Sequence, residues 1–259
     1  MSVSRTVGLF VTCLVDLHRP NVGFAAIRLL EAAGCSVVVP SSQTCCAQPA
    51  FNSGDDRSAK KIAQLVIEAF EGLEFVVVPS GSCAGMIKTH YPELFADEPQ
   101  WHARAVELAS RCHELLSFLV DVCGMTQFGA TFDDAVTYHD SCSGLRELGI
   151  KEQPRRLMQD VQGLQLKEMQ DTDVCCGFGG TFCVKYPEIS ERMVTDKTAL
   201  AAQTGAGTLL GGDLGCLLNI GGRMSRQQQS VRVFHLAEVL AGMADCPAIA
   251  EALHHRDNK

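Results

Sequence analysis

Thirteen cysteines in 259 residues are the side chains best equipped for chemistry here, and eight of them fall into a pattern. Cys45 and Cys46 are adjacent, with Cys13 32 positions before the pair and Cys83 37 positions after it. Cys175 and Cys176 are also adjacent, with Cys142 33 positions before and Cys216 40 positions after. The arrangement Cys…CysCys…Cys therefore occurs twice. Cys142, Cys175 and Cys216 follow Cys13, Cys45 and Cys83 by 129, 130 and 133 positions. Offsets this similar mark an internal duplication.

Each copy reads as one four-thiolate site for a soft metal centre. Deprotonated cysteines hold iron–sulfur clusters, usually four per cubane. Iron and zinc both match thiolate in softness. The spacing differs from the close C-x2-C runs of ferredoxins, because the ligands here come from separate loops. Adjacent cysteines point in different directions, so a pair can reach two iron atoms. A single zinc ion, usually held by chelating pairs two to four residues apart, gains less from such an arrangement. Iron–sulfur is the favoured centre, with zinc an alternative at one site. Buried core cysteines or a labile vicinal disulfide are the non-metal readings.

Strands and helices alternate in a way that would gather these thiols. Apolar, β-rich runs end just before Cys13 (Thr6–Thr12), Cys45 (SVVVP, Ser36–Pro40) and Cys83 (FVVVP, Phe75–Pro79). Helical patterns lie between them. Asn21–Ala33 has Phe24, Ile27, Leu29 and Leu30 on one face and Asn21 as a cap. Arg57–Glu71 has Ile62, Leu65, Val66 and Ala69 inward and Asp55 or Asp56 as a cap. The second half repeats the plan, with strands at Ala135–Tyr138, Leu164–Met169, Gly207–Gly211 and Val231–Phe234 and helices near Gln153–Val161, Pro187–Gln203 and His235–Met243. Short, wholly apolar strands separated by helices imply a parallel sheet covered on both faces. In such sheets all strands open onto the same carboxyl edge, where ligands bind. The expected fold is α/β, two pseudo-symmetric lobes from a duplication, each a small parallel sheet flanked by helices. The first lobe spans residues 1–129, with a helical insertion at about 92–125, and the second spans residues 130–259. Within the insertion a helix is expected over Ala103–Cys123, with Cys112 and Cys123 on its apolar stripe. The last ten residues read as a loose tail.

The bulk numbers limit the function. A net charge of −8 and a sequence pI near 5.5 argue against nucleic acid as the main partner. The longest apolar runs, such as Leu115–Val120, are far short of a membrane span. The N-terminal stretch MSVSRTVGLFVTC lacks a cleavable small-residue site. A cytoplasmic chain is expected, and a reducing compartment favours metal or redox use of so many cysteines over disulfides.

The motifs HDSC ending at Cys142, CCGFGGTF at Cys175–Phe182 and DLGCLLNIGGR at Asp213–Arg223 resemble the cysteine-rich CCG-domain family. CCAQPAFNSGD at Cys45–Asp55 and PSGSCAGM at Pro79–Met86 continue the resemblance through the first copy. That family includes the heterodisulfide reductase B subunit and the iron–sulfur subunit of glycolate oxidase. The match is strongest to its members in L-lactate oxidation systems. The resemblance implies Cys13, Cys45, Cys46 and Cys83 as ligands of one cluster and Cys142, Cys175, Cys176 and Cys216 as ligands of another. It also implies electron transfer in oxidation of lactate to pyruvate, alongside partner subunits that carry ferredoxin-type clusters. The family motif closes with Cys-x-x-Cys, but this chain has Met86 and Asn219 at the closing positions. Four cysteines per motif favour a [4Fe–4S] type centre over the five-cysteine noncubane cluster of the heterodisulfide reductase relative. Two rival functions stay open: a disulfide or heterodisulfide reductase subunit, and a zinc-stabilised scaffold without redox work.

Secondary candidates surround the cysteines. Cys183 follows Cys176 by seven positions. His139 and Asp140, and His18 beyond Cys13, are placed to move protons or hydrogen-bond a centre. Arg146 and Arg223 have the fork geometry that suits a small carboxylate. No dinucleotide-binding glycine fingerprint or flavin motif is evident.

Overall fold

The computed structural model describes residues 5–251. Among them two four-stranded sheets form. The first contains β1 (Arg5–Leu9), β2 (Cys35–Val38), β3 (Phe75–Val78) and β4 (Cys112–Glu114), in the order β2-β1-β3-β4. The second contains β5 (Thr131–His139), β6 (Gln162–Leu166), β7 (Thr208–Gly211) and β8 (Arg232–His235), in the order β6-β5-β7-β8. All strand pairs are parallel, as short apolar runs alternating with helices require.

The duplication extends to the register. Val7 pairs with Val37 and Phe75, and Val136 pairs with Leu166 and Thr208. These residues are separated by 129, 129 and 133 positions, within one of the offsets that separate the cysteines. Central strand β3 buries Val76, Val77 and Val78 completely, and β7 is buried along its whole length. That burial on both faces is why these runs show no polar alternation.

The two sheets share one apolar core. Val7, Leu9, Leu29 and Leu30 from the first half pack in a single cluster with Val136, Tyr138, Leu210, Phe234 and Leu236 from the second. A buried ion pair crosses the same junction. Arg19 Nε lies 2.8 Å from Glu238 Oε1, and the Glu238 side chain is fully buried. Asn21 Nδ2 donates to the same oxygen at 2.8 Å, so Asn21 ties the halves together; the helix there begins at Pro20.

Two sequence expectations are corrected. The apolar stripe over 103–123 is not one helix. The helix Pro99–Arg111 stops, β4 follows, and helical structure resumes at Leu115. The edge of β3 offers unpaired backbone groups, and pairing Val76–Val78 with Cys112–Glu114 satisfies them. Arg111 pins the chain at the break by donating to the carbonyls of Phe70 and Leu73 at 2.8 and 2.7 Å. Phe24 and Leu65, expected inward, are 62% and 50% exposed. The helices turn smaller residues to the core instead, Ala25 and Ala26 beside Phe24 and Ala59 and Ala63 near Leu65. Most of the expected tail lies outside the described residues.

Glu114, the last residue of β4, is buried between the halves, and one carboxyl oxygen has no hydrogen-bond partner. Burial raises its carboxyl from the ordinary value near 4.5 to about 7; Asp213 and Asp121 add to the rise, and the N–H groups of Ser117 and Leu116 oppose it. Its folded value exceeds its unfolded one, so the folded state keeps a proton that the unfolded chain has released. The associated stability is present below about pH 4.5 and is lost as pH rises through about 7. Urea titrations should show wild type losing roughly 3 kcal/mol relative to Glu114→Gln between about pH 4 and pH 8. Arg19→Ala, which strands the Glu238 carboxylate, should lower the unfolding free energy by about 3 kcal/mol in the same assay.

Candidate metal centres

Each group of cysteines gathers where a sheet presents the carboxyl ends of its strands. Past β1, Thr12 caps the helix Cys13–His18 by accepting from Val15 N and sets Cys13 at the helix start. Cys45 and Cys46 occupy the loop after β2, and Cys83 lies in the helix Gly81–Gly85 just past β3. Cys13 Sγ is 3.8 Å from Cys45 Sγ, and Cys46 Sγ is 3.2 Å from Cys83 Sγ. A hydrogen bond between the Cys45 and Cys46 side chains joins the two pairs, so the four thiols form one string. Gln43 braces this loop. It accepts from Val11 N at 2.8 Å and donates to the carbonyls of Leu9 and Pro40. From the opposite side the buried Tyr91 hydroxyl donates to Cys46 O at 3.0 Å.

The second group repeats this order. Cys142 opens the helix Cys142–Arg146 after β5, with Ser141 as its cap. Cys216 lies in the first turn of the helix Leu214–Arg226. Neighbouring thiols influence one another in the same order, Cys142 with Cys175, Cys175 with Cys176, and Cys176 with Cys216. Asn219 Nδ2 donates to Cys176 O at 2.8 Å, the role that Tyr91 plays for Cys46. Gly177 has φ of 78°, and a Cβ there would lie 2.9 Å from Ser190 O, so the tight exit from the cysteine pair needs glycine. Lys197, fully buried on the helix Pro187–Gln203, donates to Thr172 O at 2.7 Å and Asp171 O at 3.2 Å, and so fastens the loop ahead of Cys175.

The two groups are neighbours. Ser80 and Asp213, the caps of the helices that carry Cys83 and Cys216, form an antiparallel bridge. The buried Asp213 carboxylate accepts from Ser80 Oγ at 2.9 Å and Ser82 N at 2.8 Å on one side. On the other it accepts from Gly215 N at 3.1 Å and Cys216 N at 3.4 Å. One acceptor-only group thus serves the N-termini of both helices. Close approach is possible because Gly81 lacks a side chain; a Cβ there would come within 2.7 Å of Ser141 Oγ. Phe178 and Gly180, from the loop of the second group, join Leu214 and Gly215 in lining a hollow of about 180 Å³ beside all four cysteines of the first.

The thiol electrostatics differ between the groups. Hydrogen bonds from Cys13 and Cys46 pull Cys45 down to about 3 from an ordinary value near 9, whereas Cys13 and Cys46 are pushed up by their bonds to Cys45 and by burial. In the second group the hydrogen bond from Cys176 is the largest single influence on Cys216 and lowers it, but burial together with the charges of Asp213, Cys142 and Cys175 raises the thiol to about 11. Cys142, Cys175 and Cys176 are raised as well. Without a cation, several thiols so close together resist carrying charge; a positive centre reverses that preference and takes the thiolates as ligands.

The remaining candidates separate. His139 is buried, and both ring nitrogens lack hydrogen-bond partners among the described residues. One ring nitrogen and the sulfurs of Cys176 and Cys216 lie within 4.8 Å of one another. Asp140 is engaged by Arg155 through two bonds of 2.9 Å, and His18 is exposed. Cys183 Sγ faces Gly180 O at 3.7 Å, outside the string of thiols. Cys112 and Met86 are buried in the apolar core of the first half, and Cys123 is half-buried beside Cys35. Arg223 pairs with Glu191 at 2.7 Å, and Arg146 donates to Asp173 O. Sequence reasoning missed Gln43, Tyr91, Lys197 and Asp213. Only Asp213 had a readable signal: like Ser80, it stands three positions before a candidate cysteine, a capping residue type in a capping position.

The family model of the CCG cysteine-rich domain matches residues 7–88 and 136–221, one copy over each group of thiols. The chain belongs to the CCG cysteine-rich domain family. It is 48% identical to lactate utilization protein A of Oceanobacillus iheyensis over 234 residues, covering 90% of this chain and 96% of the relative. The protein of the same name from Bacillus subtilis is 49% identical, with 90% and 98% covered. Among solved structures, a hypothetical protein from Helicobacter pylori superposes with a TM-score of 0.65 at 11% identity, covering 97% of this chain and 51% of the other. The chain therefore spans about half the length of that solved protein, and the likeness concerns the fold alone. No helix among the described residues is long and apolar enough to cross a membrane.

The shared cap has a measurable consequence. Asp213→Ala leaves buried N–H groups on both helices without an acceptor and should lower the unfolding free energy by roughly 2 kcal/mol or more in chemical denaturation. Asp213→Asn, which retains one acceptor oxygen, should lose less.

Proposed function

We propose that this protein is an iron–sulfur electron-transfer subunit of an L-lactate oxidation system, with one cluster in each half, 1–129 and 130–259. The observation that carries the proposal is the convergence of Cys13, Cys45, Cys46 and Cys83 on one sheet edge and of Cys142, Cys175, Cys176 and Cys216 on the other, in two strings of neighbouring thiols. The donor set suits the group. Four soft sulfur ligands at each site, adjacent cysteines able to reach different metal atoms, and an enclosing apolar shell are what a [4Fe–4S] centre requires. When bound, such clusters supply one-electron transfer.

The chain's own residues supply position and environment. Gln43, Tyr91 and Asn219 fix the cysteine loops, and Asp213 holds the two last cysteine helices side by side. Two centres brought together across a bridge of two residues are placed for exchange of electrons within one chain. The relatives' name, lactate utilization protein A, supports lactate as the reductant of the system. Oxidation of a 2-hydroxy acid removes two electrons, so partner subunits are needed, among them one with ferredoxin-type clusters. We place the system in the cytoplasm, where thiolate clusters persist.

Protein purified anaerobically should contain about eight iron and eight sulfide per chain if both sites hold cubanes, with paramagnetic resonance signals on reduction. Cys176→Ser should lose iron from the second site, whereas Cys112→Ser should retain full iron. Zinc without sulfide, or equal iron in the two variants, defeats the proposal.

A further inference from the structure

The two candidate centres are not chemically equivalent. His139 ends β5 three positions before Cys142, and the corresponding position, by the offset that relates Cys142 to Cys13, is Phe10, just past the end of β1. Both side chains are buried, yet Phe10 packs in the first half's core, while His139 has a ring nitrogen grouped with Cys176 and Cys216 sulfurs within 4.8 Å. A phenyl ring satisfies an apolar wall. An imidazole in the same place brings two polar nitrogens, and here neither has a hydrogen-bond partner among the described residues. Buried polar groups are ordinarily paired, and an exception calls for a cause. A neutral imidazole has a lone pair to donate, and imidazole is a good ligand for both iron and zinc.

We infer that His139 is a nitrogen ligand of the second centre, donating beside Cys176 and Cys216. The first centre then has sulfur donors alone, and the second has a mixed sulfur and nitrogen set. The closing position of each cysteine motif fits this division. Met86 is buried in the first core, and Asn219 is committed to the Cys176 carbonyl, so neither competes with His139 for the second metal. A mixed donor set also widens the choice of metal there, because Cys and His together suit zinc as well as iron.

The inference rests on the metal reading proposed above, and the test separates the two. Anaerobic protein is produced with natural-abundance and with [15N]histidine, its metals are counted, and the reduced iron centres are examined by pulsed paramagnetic resonance. X-ray absorption at the metal edge supplies the same ligand count if the second site holds zinc. The expected result is a directly coordinated nitrogen that changes its coupling on histidine labelling. His139→Phe, which copies the first half, should lose that coupling while the signal of the first centre stays unchanged. A metal-loaded second site with sulfur donors only overturns the inference and leaves the metal reading intact. A second site without metal in wild type overturns both. Labelling of the native chain gives an answer even if His139→Phe fails to fold.

Discussion

The Asp213 carboxylate accepts four hydrogen bonds from two helix N-termini that belong to different sheets. Each of those helices carries the last cysteine of its group. A buried carboxylate is costly unless its lone pairs are filled, and here the donors that fill them are the ones the two helices would otherwise leave unpaired. The two requirements are met by one contact, and meeting them fixes the distance between the cysteine groups. Ser80 holds the same position in the first half and cannot do the same work, because a hydroxyl is too short and uncharged to serve both helices. The acid of the second copy reaches across, and the hydroxyl of the first copy becomes one of its donors.

Divergence between equivalent positions recurs elsewhere in the two halves. Glu114 and His235 close the equivalent strands β4 and β8 and cap equivalent helices, one with a carboxyl and the other with an imidazole. Tyr91 and Asn219 fasten equivalent carbonyls of the second cysteine in each pair, from a different side chain each time. Phe10 and His139 stand behind the two groups as an apolar and a polar wall. A symmetric junction would place identical side chains against each other, and two facing acids or two facing bases repel at close range. Where equivalents do meet, as Ser80 and Asp213 do, divergence turns a self-contact into a complementary one.

Much of this was legible in the sequence because the sheet does the gathering. Parallel strands end on one edge, so a cysteine after each strand run is enough to forecast convergence, and the similar offsets announce the repeat. The helix Pro187–Gln203 is found where its pattern places it. The strand β4 was not legible, since three residues are too few to show a period of two, and the apolar spacing around Cys112 continues the preceding helix's stripe. Phe24 and Leu65 misled for a different reason. Their type says buried, but a helix has room for only one inward arc, and here alanines with closer packing occupy it. Lys197 was hidden by the opposite rule, because a lysine is read as solvated until its ammonium is seen to hold two loop carbonyls.

The unevenness of the thiol environments follows from the same geometry. In the first group Cys45 lies between two donors, Cys13 and Cys46, which lower its thiol while their own are raised. In the second group each cysteine is pushed towards its protonated form, and an uncharged imidazole lies beyond Cys176 and Cys216. A centre that binds there must displace more protons, so its affinity should be the more sensitive to pH. Duplication supplied two cages with one plan, and the residues behind the sulfurs, not the sulfurs themselves, make them different.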